Sequence, residues 1–432
     1  MWQLRFIFDG LKKILLYFWT NKARLELIKP TEEEINEIKS TNLPHGTGIY
    51  IHIPFCKNLC PYCPYNRVPY EEELVKMFEL AIIREIDIWG NTLRKTNLTT
   101  LYIGGGTPTC IGKSLLRILE HLLKRAKIKR ICMELAPNDI ELDLIKELKY
   151  MGMDTVSLGI ETFNTKILRR IGKPTSKEIN LHAINVLRNM IEFINIDLMF
   201  TLPGENLQDI QKDVTTAIEL DVDEITVYPL FRFNYTKLGR KTSGISPDIF
   251  ETRKRFYLID ELCTKYGYER CGVWSFIHKN RNYKFSSVTR HYYKGFGPSS
   301  GTMDGKYFYL NTFSVKEYSK MLEKSKLPIA LCMKITKKFE MLYWLYWRLY
   351  ETIIKEDDFY KVFGEKFDTY FGYLKFLLKL LNLGEYNNGT IKLNRRGSFW
   401  IHRVQNLFIL EWIDKVWGKC LNEAWPEKII LI

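Results

Sequence analysis

The sequence predicts an α/β protein: a partial, TIM-like (β/α)6 barrel followed by a mainly helical, winged-helix-like C-terminal domain. Between Gly48 and Arg240, six short β-rich runs alternate with longer helical patterns. That order gives parallel strands with right-handed crossovers, and six units fall short of a closed eight-unit barrel. After Arg240 the alternation stops. Helical patterns then lead to Asn387-Asn388-Gly389 between short β runs, a hairpin signal that suggests a wing.

The strand candidates cover residues 48–53, 99–103, 130–135, 155–160, 193–199 and 224–228. Helical spacing fills 70–93, 113–126, 140–151, 165–189 and 206–220. Beyond the barrel come a helix over 247–266, a β-rich stretch over 268–277 and an aromatic strand over 307–311. Helices over 335–354, 358–363 and 367–380 follow, then the hairpin and a long helix from about Gly397. The expected units are an N-terminal extension (1–47), the barrel (48–240), a barrel-closing α/β segment (241–330) and the helical domain (331–432).

At the start of the chain, Ile7, Leu11, Ile14, Leu15 and Phe18 share one helical face, with Lys12, Lys13, Lys22 and Arg24 elsewhere. The segment is too charged and too short to span a bilayer. It either packs on the protein's own core or makes peripheral membrane contact, with Trp2 and Trp19 at the headgroup boundary. The net charge of +14 predicts attraction to an anionic partner, although solvating lysines account for it equally well. The chain has nine cysteines and no secretory signal, which fits a reducing, cytoplasmic setting better than a disulfide framework.

Cys56, Cys60 and Cys63 lie on one short loop directly after the first strand candidate. Three thiolates so placed hold three irons of a [4Fe–4S] cluster and leave the fourth iron open to a small molecule. A structural zinc site needs a fourth ligand, and neither a second cysteine pair nor a His-x-x-x-His follows. At the end of the second strand candidate, Gly104, Gly105 and Gly106 precede Thr107-Pro108. Glycines there let backbone groups approach a ligand closely.

Cys-x-x-x-Cys-x-x-Cys followed by Gly-Gly-Gly-Thr-Pro resembles the radical S-adenosylmethionine (SAM) superfamily. The longer runs Tyr-Ile-His-Ile-Pro-Phe-Cys, Ser-Leu-Gly-Ile and Ile-Asp-Leu-Met-Phe-x-Leu-Pro-Gly resemble its HemN/HemW-like, coproporphyrinogen-oxidase-like branch, from Tyr50 to about Asn311. The resemblance implies that the open iron chelates SAM and that electron transfer releases a 5′-deoxyadenosyl radical. It also implies contacts to that cofactor from Tyr50, Gly105 and Glu134. A second SAM is implied at Tyr62, Gly106, Thr107, Glu161, Lys173, Asp197 and Phe231. Two of these depart from the family pattern: Glu161 replaces the usual Gln and Lys173 the usual Arg, so the bidentate fork is lost and the two side chains have the option of pairing.

A further departure concerns substrate. Coproporphyrinogen dehydrogenases carry Cys-Gly-Cys where this chain has Cys63-Pro64-Tyr65. The expectation is therefore methyl or methylene transfer to a large, apolar substrate, neutral or anionic, such as a lipid or porphyrin, with flavodoxin or ferredoxin as electron donor. Alternatives are coproporphyrinogen III dehydrogenation, another porphyrin- or heme-modifying reaction, and a HemW-like heme chaperone, against which the 49 residues before Tyr50 weigh modestly. The C-terminal module is not expected to bind nucleic acid, because residues 371–381 and 407–417 read as core and lid. Arg290, His291, Tyr292 and Tyr293 lie in a segment expected to face substrate, with His291 an acid–base group or a packed surface residue. Cys110, Cys132, Cys263, Cys271, Cys332 and Cys420 read as ordinary buried thiols.

Overall fold

The computed structural model describes residues 25–242, 248–281 and 291–431. The amphipathic segment at the N-terminus and Arg290 lie outside the described residues. Six parallel strands form the barrel: β1 (Gly48–Ile53), β2 (Thr100–Gly105), β3 (Arg130–Leu135), β4 (Met153–Glu161), β5 (Phe193–Phe200) and β6 (Glu224–Pro229). They lie in sequence order, each paired in parallel with the next. Helices α1 (Glu72–Lys95), α2 (Lys113–Leu123), α3 (Leu142–Tyr150), α4 (Thr165–Ile171), α5 (Lys177–Arg188) and α6 (Leu207–Glu219) provide the crossovers.

Period-two alternation divides each strand between two jobs. Val156, Leu158 and Ile160 of β4 join the hydrophobic core, while Ser157, Gly159 and Glu161 line a cavity on the other face. In β5, Ile194, Ile196 and Leu198 belong to that core, with Asp197 and Met199 facing the cavity.

The long helix expected over 165–189 is broken. Gly172 caps α4 in the left-handed region at φ 75°, and Ser176 starts α5 by accepting from the Ile179 N–H. Pro174 in between cannot continue a helix. A similar break at Gly372 divides the helix expected over 367–380 into Phe367–Phe371 and Tyr373–Leu380.

The sheet is larger than expected. Beyond β6 it gains antiparallel β8 (Ser275–His278) and β7 (Tyr268–Arg270). On the other side β9 (Tyr293–Phe296) pairs in parallel with β1, followed by β10 (Gly301–Met303), β11 (Tyr307–Asn311) and β12 (Ile329–Lys334). Glu26–Ile28 and Lys428–Ile430 complete that edge, so both ends of the described chain meet in one sheet.

Helix α7 (Ile249–Lys265) packs beside α6. The C-terminal module starts with α8 (Lys337–Tyr350) and contains a three-stranded sheet ordered Ile353–Lys355, Thr390–Leu393, Gly384–Asn387. Its hairpin turns at Asn388 and Gly389, both at positive φ, as a two-residue primed turn requires. Trp344, Phe359, Phe367 and Phe371 centre a separate core. Finally α9 (Arg395–Cys420) runs from this module back over the barrel. Phe359 is fully buried, so Phe359→Ala is expected to cost about 3–5 kcal/mol, seen as an earlier denaturant transition of the C-terminal module.

Candidate active site

The strands β2 to β6 end at a cavity of about 580 Å³. Of the residues expected to hold the cluster and SAM, all except Tyr50 line it: Cys56, Cys60, Cys63, Tyr62, Gly105, Gly106, Thr107, Glu134, Glu161, Lys173, Asp197 and Phe231.

The cysteine loop is held by its own backbone and by one arginine. Phe55–Cys56 pairs with Val68–Pro69, and the Tyr70 N–H donates to the Cys56 carbonyl at 2.9 Å. The Arg67 guanidinium donates to the carbonyls of Cys63 (2.9 Å), Tyr65 (3.2 Å) and Cys60. It fixes the loop by backbone contacts that no motif exposes. Thr107 Oγ1 lies 3.8 Å from Cys56 Sγ. Beneath the loop, a methyl on Gly106 would sit 2.4 Å from the Phe55 carbonyl oxygen and 3.0 Å from Cys56 Sγ.

The donor set fits an iron–sulfur cluster. All three thiols are free. Burial raises the pKa of Cys56 and Cys60 and pushes Cys63 up to about 12, so without a metal they stay protonated, and a bound metal would displace the protons. Among the described residues no three His, Cys, Asp or Glu side chains are grouped to hold a single metal ion. That is unlike a closed zinc site and compatible with thiolates that each take a separate iron. Arg67 Nε and Glu161 Oε2 are buried without a hydrogen-bond partner among the described residues, as in a pocket built for a polar ligand.

Glu134, at the end of β3, is half-buried; desolvation raises its pKa, while it accepts from the Tyr102 hydroxyl (2.5 Å) and the Gly105 N–H (3.0 Å). Gly105 has φ 115°, and a methyl there would strike the His52 ring at 2.6 Å. His52 is the missed residue of this wall. Its Nε2 contacts the Asn66 carbonyl at 2.8 Å and must carry the proton, so Nδ1 accepts from the Tyr50 hydroxyl at 2.8 Å. Burial drops the His52 pKa to about 4, keeping the ring neutral. Tyr50 thus braces the wall from behind the cavity lining.

Beside this wall, from the adjacent strands β4 and β5 onward, lie the residues expected to serve a second cofactor. Glu161 has φ 64° and sits where the β4–β5 register shifts; such a bulge re-aims a side chain. Lys173 comes from the helix break between α4 and α5. Its Nζ donates to Glu161 Oε1 at 2.6 Å and to the Gly159 carbonyl at 2.7 Å, while the Tyr62 hydroxyl donates to the same Glu161 oxygen at 3.0 Å. The Glu–Lys pairing left open by the sequence therefore forms. Asp197 accepts from Ser157 (2.6 Å) and Asn195 (3.0 Å), and burial pushes its pKa up to about 7.

A model of the radical SAM superfamily matches residues 50–217. The heme chaperone HemW of Bacillus subtilis is 24% identical over 377 residues, covering 84% of this chain and 99% of that one. Oxygen-independent coproporphyrinogen III oxidase of Paracoccus denitrificans is 26% identical over 248 residues, 54% of each chain. Coproporphyrinogen III oxidase (HemN) from Escherichia coli superposes with a TM-score of 0.75 at 19% identity, over 88% of this chain and 93% of that one. These likenesses support a place for this chain in the HemN/HemW-like family of radical SAM proteins. The superfamily match implies a [4Fe–4S] cluster and SAM.

The remaining wall of this radical SAM cavity is aromatic and was largely hidden from sequence reasoning. Trp274, Tyr346, Trp347 and Tyr350 reach it from outside the barrel strands. One face of α9 roofs it, through His402, Asn406, Ile409, Leu410, Ile413 and Trp417. Their spacing is helical, so the face is readable once a cavity is known to lie beneath. The Trp274 Nε1–H donates to His402 Nε2 at 3.2 Å, and burial lowers the His402 pKa to about 4. Cys271 also lines the cavity and is only half-buried, contrary to its reading as an ordinary buried thiol. His291 does not line it. Its Nε2 contacts Glu340 on α8 at 3.2 Å, and Tyr292 donates to the same oxygen at 2.6 Å.

Because the space beside Gly106 is filled, Gly106→Ala is expected to displace the cysteine loop. Iron and sulfide per chain after anaerobic reconstitution should fall at least several-fold, with the far-ultraviolet circular dichroism unchanged.

Proposed function

We propose that this protein cleaves SAM reductively and uses the resulting radical for methyl or methylene transfer to carbon. The observation that carries the reading is one cavity lined by three free thiols, Glu134, Glu161, Lys173 and Asp197. When bound, the cluster would supply the electron for reductive cleavage of SAM.

Cys56, Cys60 and Cys63 would hold three irons, with Arg67 fixing the loop carbonyls behind them. Glu134 and the edge of β2 would accept from the ammonium or ribose hydroxyls of the first SAM. Glu161, Lys173 and Asp197, with Tyr62, Gly106, Thr107 and Phe231 around them, would orient a second SAM as the group donor. The aromatic roof would exclude water and keep the radical from solvent. A flavodoxin or ferredoxin would supply electrons in a reducing cytoplasm. Among the described residues no helix is long and apolar enough to cross a membrane, and we assign any membrane contact to the segment before Leu25.

One relative matched over nearly its whole length is named a heme chaperone, so carriage without turnover is the second reading. Anaerobic protein given dithionite and SAM should form 5′-deoxyadenosine; tight heme binding with no cleavage would favour the carrier. Cys60→Ala should abolish both the iron–sulfur absorbance and 5′-deoxyadenosine. Lys173→Ala leaves Glu161 buried without its cation, a change worth about 3–5 kcal/mol at such a site, and should depress S-adenosylhomocysteine more than 5′-deoxyadenosine. Equal loss of the two products would contradict separate cofactor roles.

A further inference from the structure

The polar groups of the cavity are unevenly signed. Among the described residues its lining carboxylates are Glu134, Asp139, Glu161, Asp197 and Glu351, whereas the lining cations are Arg67 and Lys173. Neither cation is free to receive a substrate acid. Arg67 directs both terminal nitrogens into loop carbonyls, leaving a single Nε–H. Lys173 is committed to Glu161 and the Gly159 carbonyl. His402 is neutral, held between Trp274 and Gln405.

The rest of the lining has a different chemistry. Trp274, Trp347, Trp417, Ile409, Leu410 and Ile413 present aromatic and aliphatic surface to the cavity. Burying a carboxylate without a cation or several donors is strongly unfavourable. Aromatic and aliphatic walls instead favour apolar surface.

Resting on the reading of this cavity as the active site, we propose that its substrate is an uncharged, largely apolar molecule and that polycarboxylates are rejected. This sets the protein apart from relatives named for coproporphyrinogen, a tetracarboxylate.

Matched probes isolate charge from shape. Coproporphyrin III with its tetramethyl ester, and palmitate with hexadecanol, would be measured by equilibrium dialysis against the anaerobically reconstituted full chain. At least one uncharged probe should bind about tenfold or more tighter than its acid. Ile409→Arg should narrow or reverse that preference by adding a cation to the roof. An acid binding as tightly as its uncharged partner in both pairs, or no uncharged probe binding at all, would overturn the proposal. Formation of 5′-deoxyadenosine in the same preparation reports separately on SAM cleavage. A chain that cleaves SAM yet prefers acids fails only this proposal, and one that prefers uncharged probes without cleavage fails only the other.

Discussion

The close approach of the β2 edge to the cysteine loop is the constraint on which the site depends. The Gly106 N–H donates to the Ile53 carbonyl and the Thr107 N–H to the Phe55 carbonyl, both at 2.8 Å. These bonds bind the end of β2 to the chain leaving β1, across a gap with no room for a side chain at Gly106. The thiols are thereby placed relative to the barrel by backbone geometry, which is stiffer than any surface ion pair. Glu134 extends the same logic, because one of its oxygens is fixed by the Gly105 N–H. Loop, glycine edge and carboxylate form one hydrogen-bonded unit at the strand ends.

The neighbouring part of the site contains local irregularities. Glu161 follows Ser157 and Gly159 on the cavity face of β4, at a bulge and with positive φ, and Lys173 meets it from the Gly172–Pro174 interruption between α4 and α5. Positive φ at a non-glycine residue costs of order 1 kcal/mol or more, and a buried pair is seldom a net source of stability. Features that cost stability and converge on one cavity are better explained by binding than by folding.

Much of the barrel was legible because its signals are local. Strands of parallel sheets read as continuous apolar runs, and the intervening amphipathic patterns separate them cleanly. The cysteine loop and glycine run were equally plain. What escaped was set by distant partners. Glu26–Ile28 is too short to carry a pattern and exists because β12 and Lys428–Ile430 flank it. His52 and Arg67 stood in view within the motif, but their roles are hydrogen bonds to Tyr50, Asn66 and loop carbonyls that spacing does not encode. The aromatic wall belongs to the same class, since Trp274, Trp347 and Trp417 meet only once α8 and α9 fold back over the barrel.

That fold-back gives the C-terminal module a physical reason to be attached. A six-stranded barrel leaves its mouth open along one side, and a radical formed there would meet water. The apolar face of α9 covers the mouth from Asn406 to Trp417. Asp414 anchors it by accepting from the Asn234 backbone N–H (2.7 Å) and side-chain amide (2.6 Å), on the loop after β6. The same loop touches the cysteine segment, where the Leu238 N–H donates to the Pro61 carbonyl at 2.9 Å and the Tyr235 hydroxyl to Pro64 at 3.1 Å. Roof and metal-binding loop are thus joined through one short segment.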